Sequence, residues 1–577
     1  MKKVLYSVMA LAFAFVSCNE PEEPVYDYFE VLTQEGEFEL PNKVEGEGVL
    51  EVTVKADYPE FEVNVDGEWL TYVPAAKSEA DAVESVLKFT YDSNEAAKPR
   101  TATISITSGK KELASFVVTQ AAREEIKAVW IYTVAQGGKM EALHPAVDAL
   151  GNVYVTETGT TSLYKILPDG NLGWKKEMVP SSESADPWSG QISVPSLEAD
   201  GSVVYAGGGT AGNGSIFAFN TADGSVKWEF SSDMFWAANN GIPNPKINRL
   251  NVAVGKDCVY AGNGGTTGTA LAINKTTGER VSFVSGALKD GNPTGPTGGT
   301  NVGMSITKGG TVMFRGNYGA FAVSSSSLDN PGEDGFVTYN SRYYDKTMKQ
   351  NNANIACFTK DGKDHFAMFG TNDDNGMKII WGPVDATSEL AYYAADGTEP
   401  TWTTHEVATK KQDQGGLVIG AKGEIIVTLK KPGSVYAVDP ATNQMAWIYD
   451  TNVEMGGSPA VDAAGNVHVY DDYGKYYILK PNYETKTAEL VQTISLLDLY
   501  AEETGTSWNE GDRCKAYGAP IIGKDGKIYL SVYYRDGAKA AILSAVFCLD
   551  TGLCTGAGDT PWPLKNGDCF NSGNQAK

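Results

Sequence analysis

Basic charge is scarce in this sequence. Lys and Arg total 47 against 72 Asp and Glu in 577 residues, a formal net charge of −25, and no long basic run offsets it, so a phosphate backbone would be repelled. Nucleic-acid binding drops out as a working class. Histidine is sparse too: His144, His365, His405 and His468 stand far apart, and the seven cysteines form no Cys-x-x-Cys pair, which removes the spacings that zinc fingers require. On sequence spacing only oxygen-ligated metal chemistry is left, and no metal site is expected. Long apolar runs are also missing. The one clear run, from Val4 to Val16 and broken only by Ser7, is too short to cross ~30 Å of hydrocarbon as a helix.

That run follows Lys2-Lys3 and ends on Phe15-Val16-Ser17-Cys18, the charged, apolar and small-residue order of a secretory leader. The ending resembles a bacterial lipobox, with Phe15 where Leu is usual, and this implies lipidation of Cys18; the alternative is a secreted chain cut nearby. Residues 1–17 are then the leader and 18–27 a tether. Asn19-Glu20-Pro21-Glu22-Glu23-Pro24 has nothing to bury and should be extended. Acidic residues directly after the lipid cysteine resemble the surface-export signal of Bacteroidetes lipoproteins, which implies an outer-membrane, surface-exposed location with the membrane touched through the lipid alone.

Glycine, at 63 of 577 residues, exceeds the usual ~7 %, and with 10 % aromatics it points to many turns between short strands. Residues 28–121 alternate in period two, as in Leu50-Glu51-Val52-Thr53-Val54 and Thr101-Ala102-Thr103-Ile104-Ser105-Ile106, which predicts a small antiparallel, Ig-like sandwich. Asp66-Gly67-Glu68-Trp69-Leu70, then Ser93-Asn94-Glu95, Pro99-Arg100-Thr101-Ala102-Thr103-Ile104 and Val117-Val118-Thr119-Gln120 together resemble a BACON domain. The family name implies carbohydrate binding; the residues themselves support a spacer, with Trp69 as core anchor and a sugar platform as the alternative.

From Lys127 onward one unit recurs. Pro145-Ala146-Val147-Asp148 with Gly151-Asn152-Val153-Tyr154 is repeated by Pro195-Ser196-Leu197 with Gly201-Ser202-Val203-Val204-Tyr205, by Ser458-Pro459-Ala460-Val461-Asp462 with Gly465-Asn466-Val467, and by Ala519-Pro520-Ile521-Ile522 with Gly526-Lys527-Ile528-Tyr529. Weaker copies centre on Val259-Tyr260, Val312-Met313-Phe314, Ala367-Met368-Phe369 and Ile425-Ile426-Val427. A sheet of three or four short strands cannot bury both faces alone, so such units stack radially. The expected fold of residues 127–577 is a β-propeller of about eight blades, seven if two copies merge, and the whole chain is all-β.

Phe217-Ala218-Phe219-Asn220-Thr221-Ala222-Asp223-Gly224 leading to Trp228, and Tyr436-Ala437-Val438-Asp439-Pro440-Ala441-Thr442-Asn443 leading to Trp447, resemble the repeats of pyrroloquinoline-quinone-like propellers. The C-terminal Pro561-Trp562-Pro563-Leu564, with Asn571-Ser572-Gly573-Asn574, resembles a segment that accompanies them. The resemblance implies that the Trp packs between blades. A quinone dehydrogenase would also need a calcium ligand set, an Asp base and often adjacent cysteines, and no such set is matched here. No catalytic residue is assigned and no cofactor is expected. Asn372-Asp373-Asp374-Asn375-Gly376 reads as a turn, with a calcium loop as the alternative. Cys548 and Cys554 flank a turn that would let them form a disulfide.

Polar segments carrying an aromatic residue stand before the expected opening strands of several blades. They hold Trp188, Trp236, Tyr343, Trp402 and Trp508. On one propeller mouth these would form a ring suited to a pyranose, with aromatic faces for its apolar side and amides or carboxylates for its hydroxyls; alternatively each aromatic plugs a gap between blades. The sequence therefore predicts a non-catalytic, lipid-anchored surface protein that binds a glycan or an envelope protein. A polysaccharide hydrolase or lyase is the first alternative, and a protein-interaction scaffold the second.

Overall fold

The computed structural model describes residues 28–575 except 35–37, 43, 45, 59, 75–83, 95–98, 123–125, 137–143, 158–160, 180–192, 211–212, 232–251, 263–268, 286–303, 317–318, 333–336, 338–340, 345–354, 372–376, 385–390, 394–401, 409–415, 431–432, 456 and 516–517. The expected leader, Cys18, the tether and the 372–376 segment lie outside the described residues. Two compact units divide the chain, Met1–Glu125 and Ile126–Lys577. No helix among the described residues is long and apolar enough to cross a membrane.

In the first unit the period-two pattern becomes two four-stranded sheets. One is ordered Phe29–Val31, Gly48–Ala56, Glu84–Tyr91, Leu70–Val73; the other Glu39–Leu40, Lys111–Gln120, Arg100–Ser108, Glu62–Asp66. Alternate side chains of a strand face opposite ways, so Leu50, Val52 and Val54 turn inward to meet Phe89, Ile104, Ile106 and Val118. Trp69 is not the centre of that core. It sits half-buried at its margin, with the Arg100 guanidinium 4.7 Å from the ring centroid and its indole N–H reaching the Thr101 carbonyl at 3.4 Å. The ring is thus packed on the core and capped by a cation.

Among the described residues, the second unit is a ring of eight antiparallel blades. Blade 1 runs outward through Ala146–Val147, Val153–Glu157, Ser162–Ile166 and Leu172–Glu177. Blades 2 to 8 open on Ser196–Leu197, Ala253–Val254, Ser305–Ile306, Ala356–Lys360, Leu417–Ile419, Ala460–Val461 and Ile521–Ile522. Inner strands have both faces covered: Val153–Glu157 and Ile425–Leu429 are buried throughout, whereas the outer Leu172–Glu177 is not. Blade 8 borrows its outer strand from the start of the unit. Lys127–Gln136 pairs antiparallel with Ala541–Asp550, Ile131 opposite Phe547, and this joins the two ends of the repeat array into a closed ring.

Trp130, Trp174 and Trp228, each on the outermost strand of its blade, fasten that blade to the next. Their indole N–H groups donate to the carbonyls of Pro168, Thr221 and Lys275 at 3.0, 3.0 and 2.9 Å. Each ring lies on a glycine of the receiving blade in the left-handed region: Gly170 (φ 84°), Gly224 (68°) and Gly278 (73°). A Cβ on Gly278 would stand 2.7 Å from Trp228 Cγ, so only glycine satisfies both the dihedral and the contact. The turn-and-Trp signature read from the sequence is this inter-blade fastening.

Blades 4 and 5 depart from the pattern between their third and fourth strands. In blade 4 a short helix, Ser325–Asp329, intervenes before the fourth strand Ser341–Tyr344, and in blade 5 the chain passes from Met377–Pro383 to a fourth strand only at Thr403–Ala408. Part of that second insertion, Ala391–Tyr393, adds in parallel to the outer edge of blade 4.

Candidate functional site

The axis of the ring, where a propeller can hold a ligand, is filled by the chain's own C-terminal segment. Backbone N–H groups of the innermost strands donate to it: Val147 to Cys569 O (2.7 Å), Leu197 to Phe570 O (2.9 Å), Val254 to Ser572 O (2.8 Å), Ile306 to Gly573 O (2.6 Å), Ile419 to Trp562 O (2.9 Å) and Val461 to Pro563 O (2.9 Å). Blades 1, 2, 3, 4, 6 and 7 are thereby tied to one segment. Trp562 and Leu564 are fully buried, and the Asn571 amide donates to the carbonyls of Pro145 and Pro195 at 2.9 and 3.1 Å. Short inner strands expose ladder groups toward the axis that must find partners; the segment supplies them.

Two titratable groups are enclosed with it. Burial pushes the Lys565 ammonium down to about 8. Burial, and then the Lys565 charge, hold His144 well below the usual imidazole range, so neutral His144 accepts from the Asn566 amide at 2.8 Å through Nε2.

A cleft of about 280 Å³ opens between blades 2, 3 and 4, bordered by Glu198, Lys256, Tyr260, Lys275, Asp329 and Asn574. Its central polar groups are committed to one another. Lys275 Nζ meets Glu198 at 2.7 Å, Tyr260 donates to Asp329 Oδ1 at 2.7 Å and the Asn574 amide donates to Val254 O at 2.8 Å.

Of the five aromatics expected to share one mouth, Trp402 stands elsewhere, and Trp402 and Trp508 are the two whose side chains are described. Trp188 and Trp236 lie outside the described residues, on chain joining a fourth strand to the first strand of the next blade. Tyr343 is on the fourth strand of blade 4, and its side chain is outside the description. Trp402 precedes the fourth strand of blade 5, so in an antiparallel blade it belongs to the face opposite the fourth-to-first connections; it is 8 % exposed and part of the core of blades 4 to 6. Trp508 stands between blades 7 and 8, half-buried, stacked on Tyr534 at 4.6 Å and donating to the Leu497 carbonyl at 2.9 Å. Trp402 and Trp508 are packing residues.

No disulfide joins Cys548 and Cys554. Cys548 is fully buried on Ala541–Asp550, opposite Tyr529, and burial pushes its thiol up to about 12. Cys554 is turned toward blade 7 by a turn in which Thr551 Oγ1 accepts from its backbone N–H at 3.2 Å.

Sequence reading passed over Asp462 and His468. In blade 1, Asp148 Oδ1 accepts from the Leu150 and Asn152 N–H groups while Oδ2 accepts from the Asn152 amide and the Tyr154 hydroxyl. In blade 7, Asp462 repeats every one of these bonds with Ala464 and Asn466, but His468 stands in for the tyrosine, its Nε2 3.0 Å from Asp462 Oδ2. The signal was a histidine where aligned repeats carry tyrosine.

Two family profiles match the chain. The BACON family profile, described as a putative binding domain, N-terminal, matches residues 59–121, and a PQQ-repeat profile described as outer membrane protein assembly factor BamB matches residues 114–334. No curated protein matches the chain. Similar solved structures include BamB from Moraxella catarrhalis (13 % identity, 74 % of this chain and 98 % of that one, TM-score 0.44). A europium-containing methanol dehydrogenase (12 %, 74 % and 93 %, 0.49) and a quinohemoprotein alcohol dehydrogenase from Pseudomonas putida HK5 (14 %, 76 % and 78 %, 0.47) are also similar.

Proposed function

For a chain that carries a BACON domain and PQQ-type propeller repeats, we propose the role of a lipid-anchored binding scaffold of the cell envelope, held at the outer membrane through Cys18 and docking a protein on the face of the fourth-to-first connections. The filled axis carries this reading. With the C-terminal segment bonded to the innermost strands, the surfaces left for recognition are the faces and the rim, which suit a macromolecule. The profile match to an outer membrane protein assembly factor supports an envelope setting. A net charge of −25 favours a partner surface that is neutral or basic. A glycan on the same face is the second reading, resting on Trp188 and Trp236.

Photo-cross-linking in cells making the full chain tests this, with the reactive group at residue 188 or 236 and a control at Leu150, which is 79 % exposed on the opposite face. The expected result is one discrete protein adduct from 188 or 236 and none from 150, lost from the membrane fraction in Cys18→Ala. Equal labelling from both faces, or none, contradicts the proposal. Retardation in polysaccharide gels that disappears in Trp188→Ala/Trp236→Ala, without a protein adduct, assigns the face to a glycan.

A further inference from the structure

We propose that Asp462, His468 and Cys554 form a binding site for a thiophilic divalent transition metal of the zinc class, built between blades 7 and 8 and independent of the docking face. Their ligand atoms, a carboxylate oxygen, an imidazole nitrogen and a thiol sulfur, all lie within 4.8 Å of one another. That mixed N/O/S set is the one zinc and its neighbours prefer.

Each ligand is held by its own segment. Asp462 is fixed by the turn after Ala460–Val461, where its carboxylate accepts from the N–H groups of Ala464 and Asn466 at 2.9 and 2.8 Å. His468 lies on the second strand of blade 7, fully buried. Cys554 comes from blade 8, and the chain just beyond it is zipped onto blade 7: Ala463 N–H donates to Gly556 O at 2.9 Å and Gly558 N–H to Val461 O at 2.8 Å. Cys554 is partly exposed, whereas Asp462 and His468 are buried, and its thiol donates to the Gly556 carbonyl at 3.5 Å, a contact that a bound metal would replace.

The outer partner of the imidazole also fits. His468 Nδ1 is 2.6 Å from the buried Tyr476 hydroxyl. A metal-bound histidine characteristically donates its other ring N–H to an oxygen, which fixes the tautomer that leaves the ligating nitrogen bare. Here Nδ1–H to Tyr476 would leave Nε2, the nitrogen beside Asp462 Oδ2, to the metal. Cys554 would bind as the thiolate, its proton passing to solvent. A fastening turn alone does not require this set, since blade 1 makes the same turn with Tyr154.

The test uses the full chain, stripped with a chelator and titrated with Co(II), then with Zn(II). A near-ultraviolet thiolate-to-cobalt charge-transfer band is expected to grow to saturation and be discharged by Zn(II). Cys554→Ser and His468→Tyr should lose it, while Tyr476→Phe weakens binding about 10–100-fold. His468→Tyr restores the residue that blade 1 carries, so its melting temperature should stay near that of the parent; if it fails to fold, Cys554→Ser carries the test alone. Absence of the band in the parent protein overturns the site, as does a band that survives Cys554→Ser.

Discussion

At the scale of single residues, the inter-blade fastening makes a graded prediction from two glycines that share a dihedral and differ in surroundings. Gly423 has φ 83° and nothing within 4 Å of where a Cβ would stand, whereas Gly278, at φ 73°, would bring a Cβ to 2.7 Å from Trp228. Gly423→Ala should lose about 1–2 kcal/mol, the cost of a left-handed residue with a Cβ. Gly278→Ala should lose that and a further ~1–3 kcal/mol of overpacking, read as a lower urea midpoint at unchanged slope. Lys565 gives a prediction in pH. Its folded pKa of about 8 lies below the ~10.4 of an exposed lysine, so between these values the unfolded chain holds more protons and stability rises with pH. The burial penalty is fully present below about pH 8, and its removal is worth on the order of 3 kcal/mol by pH ~10. Urea melts at successive pH values should show this slope in the parent protein and not in Lys565→Met. The aromatic residues mark where sequence reading stops at this scale: nothing local distinguishes Trp402, buried in a core, from an exposed tryptophan in an equally polar segment.

The elements differ in how plainly they were written. Blades 1, 2, 7 and 8 were legible because an apolar opening strand, a turn glycine and a β-branched strand follow one another at short, regular distances, and the weaker copies at Val259, Val312, Ala367 and Ile425 all fall on second strands. Blades 4 and 5 misled the placement of Tyr343 and Trp402, because insertions between third and fourth strands make an outer strand look like the opening of another blade. The C-terminal segment was recognisable as a motif, yet its place at the axis was not readable, since it depends on main-chain bonds to strands that are hundreds of residues away. That element should matter energetically in proportion to what it buries. Trp562 is fully buried and its indole N–H donates to the Lys565 carbonyl at 3.1 Å. Trp562→Ala is expected to cost about 3–5 kcal/mol, measurable as a fall in the thermal midpoint of the propeller transition with the sandwich transition unmoved.

At the scale of the whole molecule, the closed ring explains why most of so long a chain, Ile126–Lys577, is one compact unit. Lys127–Gln136 belongs by sequence to the start of the propeller unit and by pairing to its last blade. A chain beginning at residue 126 should therefore keep the propeller's calorimetric transition, and one beginning at residue 137 should lose its sharpness, because blade 8 then exposes an unpaired edge and the ring is no longer fastened. The proposed function rests on the same closure: an axis filled by the protein itself would move recognition to the faces. Hydrogen–deuterium exchange on the intact protein tests that claim most directly. The account predicts that the amides of Val147, Leu197, Val254 and Ile306, which bond to the C-terminal segment, exchange among the slowest in the propeller, together with those of Gly567 and Gly573 within the segment. Exchange of these amides at the rate of an unstructured peptide would contradict it, because the axis would then be open and available to a ligand.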